Sequence, residues 1–160
     1  ILALRGPGDV VGELATLDGG QRSGTVTAVI RSELQSLSGQ EFLDFLSTEP
    51  DAALALIREL VGRLRDADQL RVSHASDDVP TRLASCLLEI AESHGRSRAD
   101  GSVEIDLPLT QVDLAGLVGS SRDAVARSLQ RWRSQGLVAT ARRRIILLDA
   151  DRLTDRYRHS

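Results

Sequence analysis

The chain has 160 residues, a formal net charge of −3 and 41% hydrophobic residues, which suits one sizeable domain or two small ones. No apolar run is long enough to span a membrane and no signal-peptide pattern is present, so we expect a cytoplasmic protein with no membrane partner. The single Cys86 excludes an internal disulfide and any four-cysteine zinc or iron–sulfur site. Because the chain contains no methionine, we expect that its first residue is not a native start and that an N-terminal portion is missing.

The charges are distributed unevenly along the chain. Residues 1–80 contain 7 arginines and 13 acids, whereas residues 81–160 contain 13 arginines and 10 acids. Seven of these arginines, with Asp123 as the only acid, fall between Arg122 and Arg144. A local excess of this kind is typical of a nucleic-acid-binding surface.

Residues 1–37 have a strand-like pattern in which short apolar or β-branched runs are separated by Gly-rich turns. The runs are Ile1–Leu4, Thr25–Ile30 and Leu34–Leu37. Short strands with such turns are typical of a β-roll or barrel. Three or four strands are too few to close one. We therefore predict a partial β-roll domain over residues 1–50.

From Ser38 onward the hydrophobic period is helical. A short helix is predicted over Gln40–Leu46, and Pro50 suits the first turn of a long helix that continues to about residue 74. The long helix has its apolar residues on a narrow stripe, which is typical of paired helices and predicts a homodimer. A helix that packs only on its own domain is the alternative. Because Pro80 disfavours helix before it, residues 77–80 are the predicted hinge, and the dimerisation segment is residues 51–78.

A second domain is predicted over residues 79–160. It begins with a helix (81–93), a polar loop (95–101) and a strand (103–107). A capping box of Thr110 and Asp113 begins the next helix, and the pattern then reads helix, tight turn at Gly119, helix. Two apolar runs, Leu137–Thr140 and Ile145–Leu148, flank a basic turn and predict a wing hairpin. The predicted fold is α+β, with a C-terminal winged helix-turn-helix.

The helix predicted over residues 122–134 has two faces. Ser120, followed three residues later by Asp123, is a helix-start signal. Val125, Leu129 and Trp132 recur at helical spacing and are expected in the core. The opposite face is expected to read bases in the major groove through Arg122, Asp123 and Arg127. Hydroxyl groups at helix starts and arginines of the wing would hold the DNA backbone. The predicted DNA-binding residues are Thr110, Ser120, Ser121, Arg122, Asp123, Arg127, Arg142 and Arg143.

Two motifs resemble those of the cyclic-AMP receptor protein/FNR family of bacterial transcription regulators. Gly12–Ala15 followed by Arg22–Val26 looks like the family's phosphate-binding cassette, and Ser121–Arg127 is similar to its recognition-helix signature. The resemblance covers essentially the entire chain. It implies a sequence-specific DNA-binding regulator that is homodimeric through helix 51–74. It also implies a cyclic nucleotide or related effector at the β-roll, and RNA polymerase as a partner.

The resemblance implies an effector site formed by Gly12, Glu13, Leu14, Ala15, Arg22, Ser23 and Asp68. A turn that presents backbone N–H groups beside Arg22 suits a phosphodiester anion. By resemblance, Glu13 would accept a hydrogen bond from a ribose hydroxyl, and Ser23 would donate one to the phosphate. The alternative is an ion pair between Glu13 and Arg22 that holds a β-hairpin.

Recognition of the base is where the sequence departs from the family. Adjacent hydroxyl residues contact the adenine in the cyclic-AMP-responsive members, and Ala67 and Asp68 stand at those places here. Cyclic AMP is therefore doubtful as the ligand. A guanine-bearing nucleotide, a different effector or no effector remain open, and no cofactor is required.

Other classes of function find little support. No catalytic constellation or metal-ligand spacing is present, so we do not expect an enzyme or a metal site. An iron–sulfur sensor is excluded by the cysteine count, and scattered histidines (His74, His94 and His159) do not support a haem sensor. The alternative to an effector-modulated regulator is a DNA-binding regulator whose β-roll is structural or a protein-contact module.

Overall fold

A computed structural model describes residues 3–157, without the side chains of His74 and Ala75. The chain separates into two compact units. The first is Pro7–Arg71, and the second continues from Val72 and includes the segment that ends at Gly6. The three-part division into residues 1–50, 51–78 and 79–160 stays a prediction.

The first unit is helical. Its elements are α1 (Glu13–Asp18), α2 (Gly39–Thr48) and most of α3 (Pro50–Ser76). A capping box begins α2, because Glu41 N donates to Ser38 Oγ (3.3 Å) while Ser38 N donates to Glu41 Oε2 (2.7 Å). Pro50 is the first residue of α3, where its missing N–H leaves no hydrogen bond unmade. The predicted long helix is thus present, beginning one residue earlier and ending two residues later than expected.

The strands predicted at Thr25–Ile30 and Leu34–Leu37 do not form. Ala3 and Leu4 are also outside any strand, while Ile1 and Leu2 lie outside the described residues. A strand is stable only when it pairs with neighbours. None of the strands in the described residues lies in this unit, so apolar side chains of these segments stay exposed, Leu34 to 78%. These strand assignments are therefore wrong, and α1 was not foreseen.

The second unit contains the rest of the elements. They are α4 (Val79–His94), β1 (Gly95–Ser97), β2 (Val103–Ile105), α5 (Gln111–Leu117), α6 (Arg122–Ser134), β3 (Val138–Ala141), β4 (Arg144–Leu147) and α7 (Ala150–Tyr157). The strands form one antiparallel sheet in the order β1-β2-β4-β3. Helix–turn–helix α5–α6 followed by hairpin β3–β4 confirms the winged helix-turn-helix and the α+β class. Strand β1 replaces part of the predicted polar loop, and α7 was not predicted.

One hydrophobic core holds the second unit together. Val125, Leu129 and Trp132 are 0%, 2% and 0% exposed, which confirms their predicted place in the core. The Trp132 and Tyr157 rings lie 5.3 Å apart between centroids, and Trp132 Nε1 donates to Tyr157 Oη at 2.9 Å. This pair joins α7 to the C-terminal half of α6. Cys86 packs against the same core, and burial raises the pKa of its thiol to about 12, as suits a structural cysteine.

Of the predicted hinge, residues 77–80, only Asp77 and Asp78 lie between α3 and α4, because Val79 and Pro80 form the first turn of α4. Asp78 accepts from Thr81 N at 2.9 Å and thereby begins α4. The Arg82 side chain donates to Asp77 O (2.6 Å) and to Val118 O (2.9 Å). Since Val118 is the C-cap residue of α5, one side chain joins the hinge to the turn between α5 and α6.

Candidate nucleic-acid interface and anion site

The turn between α5 and α6 sets the direction of α6. Gly119 has φ 57°, a left-handed conformation that glycine adopts without a Cβ clash. Ser120 N donates to Ala115 O at 2.9 Å and closes the turn. The N-cap of α6 is Ser121, whose hydroxyl accepts from Ala124 N at 3.2 Å. The helix-start signal assigned to Ser120 is therefore displaced by one residue, since only Ser121 has its oxygen within reach of a first-turn N–H.

The exposed face of α6 carries the three residues predicted to read bases. Arg122, Asp123 and Arg127 are exposed, while the core residues of α6 lie on the opposite face. Arg122 Nη1 lies 3.8 Å from Asp123 Oδ1, and the two side chains are 65% and 78% exposed. An ion pair that long and that exposed contributes little. Both side chains are therefore free to reorient towards a ligand.

The two helix-capping hydroxyls differ in what they can still offer. Thr110 Oγ1 donates to Asp113 Oδ2 at 2.7 Å and accepts from Asp113 N at 3.2 Å. Its single hydrogen is thus already used within the capping box. Ser121 only accepts, so its hydroxyl hydrogen is available to a phosphate oxygen. Of the two residues, Ser121 is the better placed to hold a backbone phosphate.

The wing presents two arginines at its tip. Arg142 and Arg143 form the exposed turn between β3 and β4, and Arg143 has φ 66°. By contrast, Arg144 Nη1 lies 2.9 Å from Glu104 Oε1, and Arg98 Nη1 lies 3.4 Å from Glu104 Oε2. The pairing of Glu104 with Arg144 was not predicted from the sequence. The register that places β2 beside β4 is the only signal that would have found this pair.

In the first unit, Gly12 and Arg22 come together at the start of α1. Gly12 has φ 85°, and a Cβ at this position would collide with Nη1 of Arg22. The absent side chain therefore makes room for the guanidinium. Arg22 and Ser23 are both exposed, and in the described residues Arg22 makes no ion pair with Glu13. The alternative in which Glu13 and Arg22 hold a hairpin is wrong.

Glu13 instead pairs with a residue of the long helix. It is 5% exposed, and its Oε1 accepts from Arg63 Nη1 at 2.6 Å. Arg63 Nη2 also donates to Val10 O at 2.6 Å and to Glu59. Arg63 was not among the predicted site residues, because it and Glu13 are 50 positions apart in the chain. Glu13 Oε2 has no donor in the part of the chain that the structure describes.

The other predicted effector residues differ in exposure and in their position along the chain. Leu14 is half-exposed and Ala15 partly buried, both in α1. Asp68 lies far along α3, with Oδ1 3.6 Å from Arg71 Nη1 and its side chain 63% exposed. Within this unit, the structure therefore brings Gly12, Arg22 and Glu13 to one end of α1. It gives Asp68 no contact with them.

Residues 3–157 show neither a metal-ligand cluster nor a membrane-spanning helix. They contain no group of three or more histidine, cysteine or carboxylate residues suited to a metal ion. None of their helices is long and apolar enough to cross a membrane.

The fold and the exposed basic face of α6 define a winged helix-turn-helix of the DNA-binding class. Two family models match the chain: the Crp-like helix-turn-helix domain over residues 81–156 and the cyclic nucleotide-binding domain over residues 1–49. With these two modules in this order, the chain belongs to the CRP/FNR family of transcription regulators.

Sequence similarity to individual regulators supports the same family assignment. The chain is 29% identical to a CRP-like cAMP-activated global transcriptional regulator of Mycobacterium tuberculosis, over 99% of the chain and 70% of that protein. It is 34% identical to the cyclic AMP receptor protein of Thermus thermophilus, over 86% of the chain and 60% of that protein.

Solved structures show the same fold. A CRP/FNR-family transcriptional regulator from Thermus thermophilus matches with TM-score 0.60 and 27% identity, over 67% of this chain and 54% of that one. A CooA mutant from Carboxydothermus hydrogenoformans matches with TM-score 0.67 and 21% identity, over 74% of this chain and 54% of that one. The chain thus spans about half the length of these solved structures.

Proposed function

We propose that this protein is a homodimeric, sequence-specific DNA-binding transcription regulator that an effector modulates through its N-terminal unit. The observation that carries the proposal is α6, which buries one face completely and exposes Arg122, Asp123 and Arg127 near its N-terminus. Its relatives are transcription regulators rather than enzymes. As in such regulators, RNA polymerase would be a further partner and the cytoplasm the site of action.

DNA reading follows from the chemistry of the exposed face. An arginine can pair with guanine O6 and N7 through two hydrogen bonds, and a carboxylate can accept from cytosine N4. Arg122 and Arg127 would take the first role and Asp123 the second. Ser121, Arg142 and Arg143 would hold phosphates and fix the register. Thr110 is a weaker candidate because its hydroxyl hydrogen is already used in the capping box, whereas the turn engages only the backbone N–H of Ser120.

The test is Arg122→Ala in the full chain, assayed against duplexes selected from a random library. Loss of one bidentate contact should cost about 1–3 kcal/mol of specific binding and relax selectivity at one base position. Arg131→Ala is the matched control, since it removes the same charge from an exposed position nearer the C-terminus of α6. Unchanged selectivity in Arg122→Ala would contradict the assignment of that residue.

Dimerisation is proposed for α3. Its residues Leu54, Ile57, Val61 and Leu64 are 41–63% exposed and follow a heptad spacing, while Leu56 on another face is 7% exposed. A stripe of exposed apolar residues at this spacing is what a parallel helix pair buries. Sedimentation equilibrium of the full chain tests this, and a monomer at micromolar concentration would refute it.

The effector is proposed to bind at the N-terminal end of α1. Arg22 would pair with a phosphate beside Gly12, with Ser23 as a further donor, and Glu13 Oε2 would accept from a ribose hydroxyl. Backbone groups of Leu14 and Ala15 belong to the same cassette by resemblance. Asp68 would accept from an amino or ring N–H group of a base. The pairing of Glu13 with Arg63 supports this arrangement, because it fixes the carboxylate while leaving one oxygen unused.

Calorimetric titration with cyclic AMP, cyclic GMP and a cyclic dinucleotide tests the effector proposal. Arg22→Gln should abolish the heat of whichever nucleotide binds, whereas Arg31→Gln should not, since Arg31 is an exposed arginine outside the cassette. No heat from any nucleotide would favour the second candidate. That candidate is a DNA-binding regulator whose N-terminal unit is structural or a protein-contact module, and it would leave the DNA result intact.

A further inference from the structure

The exposed stripe of α3 does not end in an apolar residue. In the heptad that places Leu54 and Val61 at a positions and Ile57 and Leu64 at d positions, the next a residue is Asp68 and the next d residue is Arg71. Both are strongly exposed, with side chains 63% and 84% accessible. The apolar stripe thus continues directly into a pair of opposite charges.

The pair is poorly satisfied within one chain. Asp68 Oδ1 and Arg71 Nη1 lie 3.6 Å apart, three residues along the same helix. At that distance and exposure the ion pair is worth little. Arg63 differs, because its guanidinium makes three short contacts inside its own unit and is on the other face of the helix.

We infer that, when no effector is bound, Asp68 and Arg71 form a charged layer across the dimer, in which each Asp68 pairs with Arg71 of a second copy of this chain. The inference rests on the dimer proposed above and names the contact that sets its alignment. In a parallel pair, each a or d side chain inserts into a hole formed by four residues of the partner helix, and the hole around Arg71 includes Asp68 of the second copy. Four alternating charges therefore meet at the end of the seam.

This layer selects one alignment over its alternatives. A shift of one heptad, or an antiparallel arrangement, would place Asp68 against the apolar residues of the partner's seam. Burying an unpaired carboxylate there is costly, and a polar a residue is a known way to specify register. The flanking positions offer no substitute: the g positions are Ala53, Leu60 and Ala67, and two of the e positions are Arg58 and Arg65. Charge pairs between e and g are thus absent from this seam by sequence.

Charge reversal tests the layer. Asp68→Arg and Arg71→Asp should each weaken dimerisation of the full chain by about tenfold or more, because like charges then face one another across the interface. The double variant Asp68→Arg/Arg71→Asp should recover most of the loss. High salt should reduce the differences in dimer affinity between these variants and the wild type, because it screens the charges. Asp66→Arg is the matched control, since it makes the same charge change at an exposed position outside the a/d stripe.

Sedimentation equilibrium, with circular dichroism to verify helicity, separates the outcomes. A wild-type monomer refutes the dimer itself and this inference with it. A wild-type dimer whose single and double variants all match Asp66→Arg refutes the charged layer alone. The variant Leu64→Cys checks the register independently. Residue 64 is a d position, so the two introduced cysteines should face each other and form an intermolecular disulfide on mild oxidation. A cross-link that does not form, in a chain that sediments as a dimer, also overturns the alignment.

Discussion

Tyr157→Phe removes a single oxygen from the core and gives a sharp test of how α7 stabilises α6. Trp132 is 0% exposed, and its Nε1–H donates to Tyr157 Oη at 2.9 Å. Without that oxygen the indole N–H is buried with no acceptor, which costs about 1–3 kcal/mol. The aromatic contact between the rings, 5.3 Å apart, is retained in phenylalanine. The decrease in the free energy of unfolding therefore reports the cost of leaving one buried donor unpaired.

The assay is thermal unfolding followed by tryptophan fluorescence. Since Trp132 is the only tryptophan, its signal reports unfolding of the second unit alone. For a unit of this size each kcal/mol lowers Tm by about 4–8 °C, so we expect a fall of about 5–20 °C. Trp132→Phe/Tyr157→Phe is the companion variant, because it removes donor and acceptor together; it has no tryptophan, so its unfolding is followed by far-ultraviolet circular dichroism. A Tyr157→Phe protein with unchanged Tm would refute the assignment of this hydrogen bond to stability.

Three further predictions follow from single residues. Arg143→Gly should stabilise the wing by about 1 kcal/mol, since φ 66° suits glycine. The same variant should lose about one phosphate contact, which would appear as a shallower slope of log Kd against log salt concentration. The pKa of Asp113 is lowered by its hydrogen bonds from Thr110. Its contribution to stability is therefore present above its ordinary pKa of about 3.9 and lost as pH falls through the lower folded value, so Asp113→Asn should flatten the acid side of a stability–pH curve. Cys86, with a pKa raised to about 12, should resist alkylation at neutral pH until the chain unfolds, and rapid labelling of the native protein would contradict its burial.

The elements of the second unit were predicted well because their caps, turns and buried faces are encoded within short segments of sequence. The spacing of Val125, Leu129 and Trp132 encodes which face of α6 is buried. The Thr110–Asp113 capping box and the turn at Gly119 mark helix limits within a few residues of chain. The 13 residues of α6 coincide with the predicted helix. Even the one-residue error at Ser120 comes from a choice between adjacent hydroxyls.

The first unit was less predictable because its decisive contacts are long-range. A β-branched run such as Thr25–Ile30 has strand propensity. A strand also needs a neighbouring strand to pair with, and propensity does not tell whether one is present. The ion pair of Glu13 with Arg63 depends on where α1 meets α3, 50 residues further along the chain. The same holds for Glu104 and Arg144, which only the sheet register brings together. Pairs of this kind follow from topology and not from spacing.

The seven arginines between residues 122 and 144 show why a charge count is a poor guide to an interface. Arg144 is held by Glu104, and Arg133 donates to Thr140 at 3.0 Å. Each contact uses one of the five N–H donors of a guanidinium, and the Glu104 carboxylate also offsets the charge of Arg144, so these two side chains have less to offer a phosphate. Arg127, Arg142 and Arg143 are exposed and make no ion pair within the described residues. The structure thus divides the basic segment into arginines that stabilise the wing and α6 and arginines that remain available at the N-terminus of α6 and the tip of the wing. The second group is the one on which DNA recognition should depend.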